Sequence, residues 1–224
     1  MLTRPALALA LLVAGLAGPV PAAPSTPSPA VRSTPAGALF NGRDLSGWRV
    51  FLADRAADTR AVWSVAPDGV LRLATKASCL LRTERAFSNY RLHAEWRWPA
   101  DAPANTNGGI FFHIGEPDAI WPVCLGVQIA NTDAGQLVGQ GGADIPAAPL
   151  INAKKRTPKL AAASEKPLGQ WNTGELVCRD DNVEVTINGV RQNRVEKISV
   201  TSGGIGIQLE GFPVEFRNLW LTPL

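Results

Sequence analysis

The stretch Asn89-Tyr-Arg-Leu-His-Ala-Glu-Trp-Arg-Trp98 alternates without a break. Tyr90, Leu92, Ala94, Trp96 and Trp98 share one face; Asn89, Arg91, His93, Glu95 and Arg97 share the other. Side chains of a β-strand point to opposite faces with a period of two, so one face of this strand belongs to a core and the other is exposed or lines a site. The same alternation recurs on both sides. Val183 to Ile187 alternates and runs into Asn188-Gly189, a dipeptide that tolerates the positive φ angles of a type I′ turn, so 182–187 and 190–195 are expected to form a hairpin. Pro213 to Leu221 reads as a further strand, with Val214, Phe216 and Trp220 on one face and Glu215 and Arg217 on the other.

Further strands are expected at 48–52, 61–66, 69–74, 79–83, 108–115, 123–130, 172–179 and 204–209. Turn signals separate them: Pro67-Asp68-Gly69, Asn107-Gly108-Gly109, Gly141-Gly142 and Gly203-Gly204. Many short strands at regular spacing predict an all-β fold, a β-sandwich of two antiparallel sheets. Segment 139–170 does not alternate and is rich in Gly, Ala and Pro; it reads as a long loop with a short helix near 159–165. Its basic run Lys154-Lys155-Arg156 reads as a solvated face. A loop this long on a compact sandwich suggests part of a binding site.

The amino-terminal end has the pattern of a secretory signal. Arg4 gives the positive region, Ala6 to Ala17 the apolar region, and Val20-Pro21-Ala22 the small residues of a cleavage site, so the expected cut follows Ala22. That implies a periplasmic or secreted protein. Residues 23–37, with Pro24, Pro27, Pro29 and Pro35 among Ser, Thr and Ala, read as a linker. The folded domain is then 38–224. Among 224 residues, 22 Lys and Arg face 19 Asp and Glu, and a net charge of +3 is too small for a nucleic-acid footprint. No membrane span is expected in the mature chain. Two His and three scattered Cys do not give the usual spacing of a zinc site. Cys79, Cys124 and Cys178 each sit in a strand-like run and are expected to be buried thiols, though one pair among them is open. No phosphate loop, zincin helix or nucleophile elbow appears.

Seven segments, taken in order, carry a resemblance. They are Leu39-Phe-Asn-Gly-Arg-Asp-Leu-Ser-Gly-Trp48, Leu81 to Arg97, Asn107-Gly-Gly-Ile-Phe-Phe-His113, Trp121-Pro-Val-Cys-Leu-Gly-Val-Gln128, Glu165-Lys-Pro-Leu-Gly-Gln-Trp-Asn172, Ile187-Asn-Gly-Val190 and Gly204 to Asn218. Together they resemble the 3-keto-disaccharide hydrolase domain family over about residues 38–224. The resemblance implies a concanavalin-like jelly-roll sandwich and an exported protein acting on sugars oxidised to a ketone at C3. It also exposes departures: relatives usually have Glu where Gly126 stands, Asp where Gln136 stands, and often Glu where Gln170 stands. Each change deletes a carboxylate, the usual acid, base or cation ligand of glycoside chemistry.

A ketone at C3 acidifies the proton on C2. A base can remove that proton, the enolate can expel the substituent on C1, and water can then add. Such a site needs a base, a group to steady the enolate oxygen and a proton donor. Glu95 and Arg97 share a strand face with His93 and Arg91. His113 is read as sharing a face with Phe111, and Glu210 closes a Gly-rich strand. The expected catalytic set is His113 or Glu210 as base, Arg97 at the enolate and Glu95 orienting it. Expected sugar contacts are Asn107, Gln128, Gln208 and Trp121, an indole that can cover the apolar face of a pyranose. Trp48, Trp63, Trp96, Trp98 and Trp220 are assigned to the core. A divalent cation is a candidate cofactor, with no ligands assigned. Two functions stay open: a hydrolase or lyase of 3-keto-glycosides, and a lectin-like carbohydrate-binding module.

Overall fold

The computed structural model describes residues 37–54, 56–74, 78–146, 150–151 and 156–224. The expected signal segment, the linker up to residue 36, and Lys154 and Lys155 lie outside the described residues. Thirteen strands are described: β1 (Trp48–Leu52), β2 (Trp63–Val65), β3 (Leu71–Leu73), β4 (Ser78–Thr83), β5 (Tyr90–Arg97), β6 (Gly108–Ile114), β7 (Cys124–Gln128), β8 (Leu137–Gln140), β9 (Asn172–Arg179), β10 (Asn182–Ile187), β11 (Val190–Val195), β12 (Gly204–Glu210) and β13 (Val214–Pro223). Among the described residues the helical content is one 3₁₀ turn, Thr59–Ala61, which Asp58 caps by accepting from the Arg60 N–H.

The strands form two antiparallel sheets. One has the order β1-β4-β12-β6-β7-β8, the other β11-β10-β9-β5-β13-β3-β2. The apolar face of β5 (Tyr90, Leu92, Ala94, Trp96) meets Leu81, Ile110, Phe112, Leu125, Val127, Ile205, Ile207 and Leu209 from the six-stranded sheet. Burial of these side chains, worth roughly 1.5–3 kcal/mol each, is what joins the sheets. Asn188 and Gly189 turn the β10–β11 hairpin with φ of 49° and 80°, as a type I′ turn requires. The three cysteines are buried and unpaired, and desolvation pushes each thiol up to about 12.

Three expectations are corrected. The helix at 159–165 does not form. Pro158 precedes it, and the segment's polar groups bond outward instead: Leu160 N–H to the Gln192 carbonyl at 2.8 Å, Ser164 hydroxyl to the Ile187 carbonyl at 2.8 Å, and the Gln192 amide to the Ala162 carbonyl at 2.9 Å. His113 does not share a face with Phe111. Gly206 pairs with Phe111 and Gly204 with Ile114, so β6 carries one extra residue, and His113 takes φ of 53° in that bulge. Its ring turns inward against Phe112 (5.1 Å between centroids) and Tyr90 (5.7 Å). Trp220 is not in the core either. Arg217 pairs with Glu95 and Trp220 with His93, and Asn218 absorbs the extra residue at φ of 51°. The bulge inverts the phase of β13, so Leu219 and Leu221 go inward while Trp220 goes outward and stacks on His93 at 4.6 Å.

Candidate functional site

With Ile110 and Phe112 of β6, Leu125 and Val127 of β7, and Ile205, Ile207 and Leu209 of β12 in the core, strand alternation turns the residues between them outward. The outward face of the six-stranded sheet therefore carries Gly109 and Phe111, Gly126 and Gln128, and Gly206, Gln208 and Glu210. Register fixes a row across three strands: Gln208 pairs with Gly109, and Gly109 with Gln128. Gln136 lies alongside, its carbonyl accepting from the Gln128 N–H at 2.9 Å.

At one end of this face the ladder runs on into loops. Ile129 N–H reaches the Gly108 carbonyl at 3.0 Å and Asn131 N–H the Thr106 carbonyl at 3.2 Å. Residues 105–107, 130–133 and 210–212 are thereby drawn together around a cleft of about 400 Å³. Asn105, Thr106, Asn107, Asn131, Asp133, Arg156, Glu210 and Phe212 supply its walls. Asn107 donates its side-chain amide to a Glu210 carboxylate oxygen. The turn bearing Asp133 is held from outside: Ala134 N–H donates to the Glu165 carboxylate at 2.6 Å, and the Lys159 ammonium to the Thr132 carbonyl at 2.7 Å. The buried oxygens Asn107 Oδ1, Thr106 Oγ1, Gln128 Oε1 and Gln136 Oε1 have no protein hydrogen-bond partner. Buried acceptors of this kind suit a hydroxyl-rich ligand, which can donate from each hydroxyl it presents.

The expected site residues separate into four places. Glu210 and Asn107 line the cleft. Gln208 and Gln128 lie just beyond it, each two residues along the chain from a lining residue, Glu210 and Ala130 respectively. Trp121 lies on the same sheet face but outside the cleft, 43 % exposed and tilted against Phe111 at 6.2 Å. Its loop is pinned by Asp118, whose carboxylate pairs with both Arg49 (2.6 Å) and the buried Arg82. His113 is fully buried. Its Nδ1–H donates to the Val200 carbonyl at 2.8 Å, and desolvation holds its pKa below the usual histidine value, so the ring is neutral.

Glu95 and Arg97 are on the other sheet, on its outward face. Glu95 accepts from Arg217 at 2.6 Å and from Asn218 at 2.7 Å; Arg97 donates to Glu215, which also accepts from Arg72 at 2.8 Å. Burial pulls the Glu95 pKa up, but these donors outweigh it and hold it below its ordinary value. Arg97 and Arg217 both lie over the Trp171 ring, at 4.6 and 4.1 Å. His93 completes the ladder between Glu175 (2.5 Å) and Glu95 (3.7 Å). The expected quartet of His113, Glu210, Glu95 and Arg97 is thus not one constellation: the structure distributes it over a cleft, a core and an opposite face.

Among the cleft residues not singled out from sequence, two are charged. Asp133 stands in a Thr-Asp-Ala-Gly turn, a loop signal without a chemical signature. Arg156 belongs to the basic run expected to be solvated, yet it is only 9 % exposed, because residues 156–157 add to the sheet edge. Arg156 bridges Val138, and Thr157 N–H donates to the Leu137 carbonyl at 2.9 Å. Gly126 is enclosed by side chains of its own sheet face. It leaves no space for a substrate, since a Cβ there would sit 2.9 Å from Phe111 Cδ1 and 3.3 Å from Val138 Cγ1.

The sequence model of the 3-keto-alpha-glucoside-1,2-lyase-like domain matches residues 35–222. The chain belongs to this family. No curated protein matches it. Among solved structures, this chain is similar to a protein of Parabacteroides distasonis described as a "putative glycosyl hydrolase", at 22 % identity, covering 83 % of this chain and 92 % of that one with a TM-score of 0.58. It is also similar to the carbohydrate-binding module CBM66 of Bacillus subtilis (9 % identity, 78 % and 94 % covered, TM-score 0.55) and to the β-glucanase of Bacillus licheniformis (12 %, 84 % and 97 %, 0.55). At these identities the likeness is one of fold, and it makes the sandwich jelly-roll-like. For a divalent cation the residues do not fit: among the described residues no three His, Cys, Asp or Glu side chains converge to hold one, so no step is assigned to a metal.

Proposed function

We propose that this chain cleaves 3-keto-glycosides in the cleft at the end of β12, β6 and β7. The observation that carries the reading is Glu210, a carboxylate at a strand end, oriented by Asn107 and facing a polar cleft of sugar size in a domain of this family. Glu210 takes the C2 proton, and the C2–H electrons pass to the C3 oxygen as an enolate. The enolate re-forms the ketone, a C1–C2 double bond forms, and the C1–O bond breaks. The leaving oxygen takes a proton from solvent. Release at this stage is a lyase reaction; addition of water across C1–C2 makes it a net hydrolysis. Asn107, Gln128 and Gln208 bind sugar hydroxyls through amides that both donate and accept. His113 has no route to the substrate, and Glu95 and Arg97 stabilise the opposite sheet. Trp121 stacks on the part of the ligand that extends past the cleft. The protein works outside the cytoplasm, after removal of residues 1–22.

One observation favours a second reading, a carbohydrate-binding module. Phe111 fills the position above Gly126 where a carboxylate would otherwise project. The test is release of the aglycone from a 3-keto-glucoside by the purified mature chain, followed by Glu210→Gln. Turnover that falls about 100-fold in Glu210→Gln, with folding retained, supports the enzyme. Sugar binding without turnover in the wild type supports the module instead.

A further inference from the structure

We infer that Arg156 is the oxyanion-binding residue of the cleft, and that it steadies the enolate oxygen at C3 of the substrate. This deepens the 3-keto-glycoside reading and rests on it. Arg156 is nine-tenths buried and lines the cleft together with Glu210 and Asp133. No Asp or Glu lies within 4.0 Å of its guanidinium. All of the chain's Asp and Glu residues are among those described, so no carboxylate elsewhere in the chain can pair with it. Arg82, the other arginine so deeply buried among the described residues, is neutralised by Asp118.

A buried cation with no carboxylate paired to it directly is costly, and groups perturbed in this way cluster at functional sites. The backbone that carries Arg156 is fixed on both sides. Ile151 N–H donates to its carbonyl at 2.7 Å, its own N–H donates to the Ile151 carbonyl at 3.2 Å, and Thr157 is locked to Leu137 and Asn193. Such preorganisation is what makes a positive group effective at a developing anion, because it need not reorganise as charge forms.

The chemistry balances without a cofactor. As Glu210 takes the C2 proton, the electron pair moves onto the C3 oxygen and the charge lost from Glu210 appears there. Arg156 meets that charge, and gives it up when the pair moves on to form C1–C2 and expel the C1 oxygen. Two sources of an oxyanion in the cleft are conceivable on these contacts: the transient enolate of a neutral keto-sugar, or the carboxylate of a sugar acid. Among the described residues Arg156 is the one cation lining the cleft, beside two carboxylates, and this favours the transient one, since a resident carboxylate beside Asp133 and Glu210 would make three negative groups against one positive.

The experiment compares wild type, Arg156→Met and Arg156→Lys. Arg156→Met keeps the apolar stem and removes the charge, and it is expected to fold with an unchanged or raised melting temperature. With a neutral 3-keto-glucoside, kcat should fall about 100-fold while KM stays within about twofold, with Arg156→Lys recovering part of the loss. Solvent deuterium incorporation at C2 should fall in parallel. Unchanged kcat, a loss confined to KM, or a loss that follows a lowered melting temperature would overturn the assignment. Calorimetry with gluconate and glucose is the second arm. If the wild type does not cleave, the reaction reading fails; gluconate preference lost in Arg156→Met then assigns the residue to a ligand carboxylate, and no preference removes the oxyanion role altogether.

Discussion

Gly126 and Phe111 make a tightly specified pair whose coupling can be measured. A Cβ at position 126 would lie 2.9 Å from Phe111 Cδ1, 3.0 Å from Cε1 and 3.3 Å from Val138 Cγ1. The first is closer than a Cβ contact tolerates and the other two require their neighbours to give way, yet Phe111 is fully buried with Leu80, Ile114 and Cys124, so its ring has little room to retreat. Inserting one methyl into such packing costs about 1–3 kcal/mol. For a domain of this size each kcal/mol moves the melting temperature by about 2–4 °C, so Gly126→Ala should melt about 2–12 °C lower. Phe111→Ala alone should cost about 3–5 kcal/mol through the lost aromatic burial. In the double variant the new methyl occupies space the ring has left, so the two losses should fall short of their sum by about 1 kcal/mol or more. Urea denaturation of the four proteins gives the cycle. An unchanged stability for Gly126→Ala, or strict additivity, would refute the claim that Phe111 excludes any side chain at 126. It would also reopen that position to a carboxylate, which Gly126→Glu tests directly.

Three further outcomes are expected. His93 sits between Glu175 and Glu95; burial alone would lower its pKa, but the hydrogen bond and charge of Glu175 prevail and raise it above 6.5. A raised histidine pKa stabilises fully below the unfolded value and the contribution is lost as pH rises through the folded one. The stability gap between wild type and His93→Gln should therefore be full below the ordinary histidine pKa and narrow as pH rises above it, and a gap that widens with pH would contradict this. Arg82→Met should lose about 3 kcal/mol by leaving Asp118 with its partly exposed partner Arg49, and should open the 115–123 loop to limited proteolysis. Cys79, Cys124 and Cys178, buried and held up near pKa 12, should stay unlabelled by iodoacetamide in the native state and all three react in urea.

How much of this was legible in the sequence depends on how local the cause is. The β5 strand, the β10–β11 hairpin and most strand positions follow from alternation and turn chemistry that a ten-residue window contains. The cleft does not. Its walls come from residues 105–107, 130–133, 156 and 210–212, and only the strand order β12-β6-β7 brings three of those loops to one sheet end. Glu210 and Asn107 were accessible because each ends or begins a recognisable strand. Asp133 and Arg156 were not, since a polar turn and a basic run look the same whether they face water or a ligand.

The two inverted faces have a sharper origin. Alternation assigns a face only while the count of residues is kept, and a single inserted residue reverses every assignment after it. In β13 the count changes at Asn218, so Val214 and Phe216 are inward as expected while Trp220 emerges outside, onto His93. In β6 it changes at His113, and the same slip that removes that histidine from the sugar face returns Ile114 to it, beside Phe111. Both bulges place a non-glycine residue at positive φ, and Asn tolerates that region far better than most residues, so Asn218 carried a weak signal in the sequence. Histidine shares some of that tolerance, but nothing in the residues flanking His113 marks a bulge there. What holds it is the tertiary environment, the Val200 carbonyl on one nitrogen and Tyr90 across the ring, contacts formed with segments far along the chain. The residue whose chemistry drew most attention in the sequence is therefore the one whose position the sequence specified least locally.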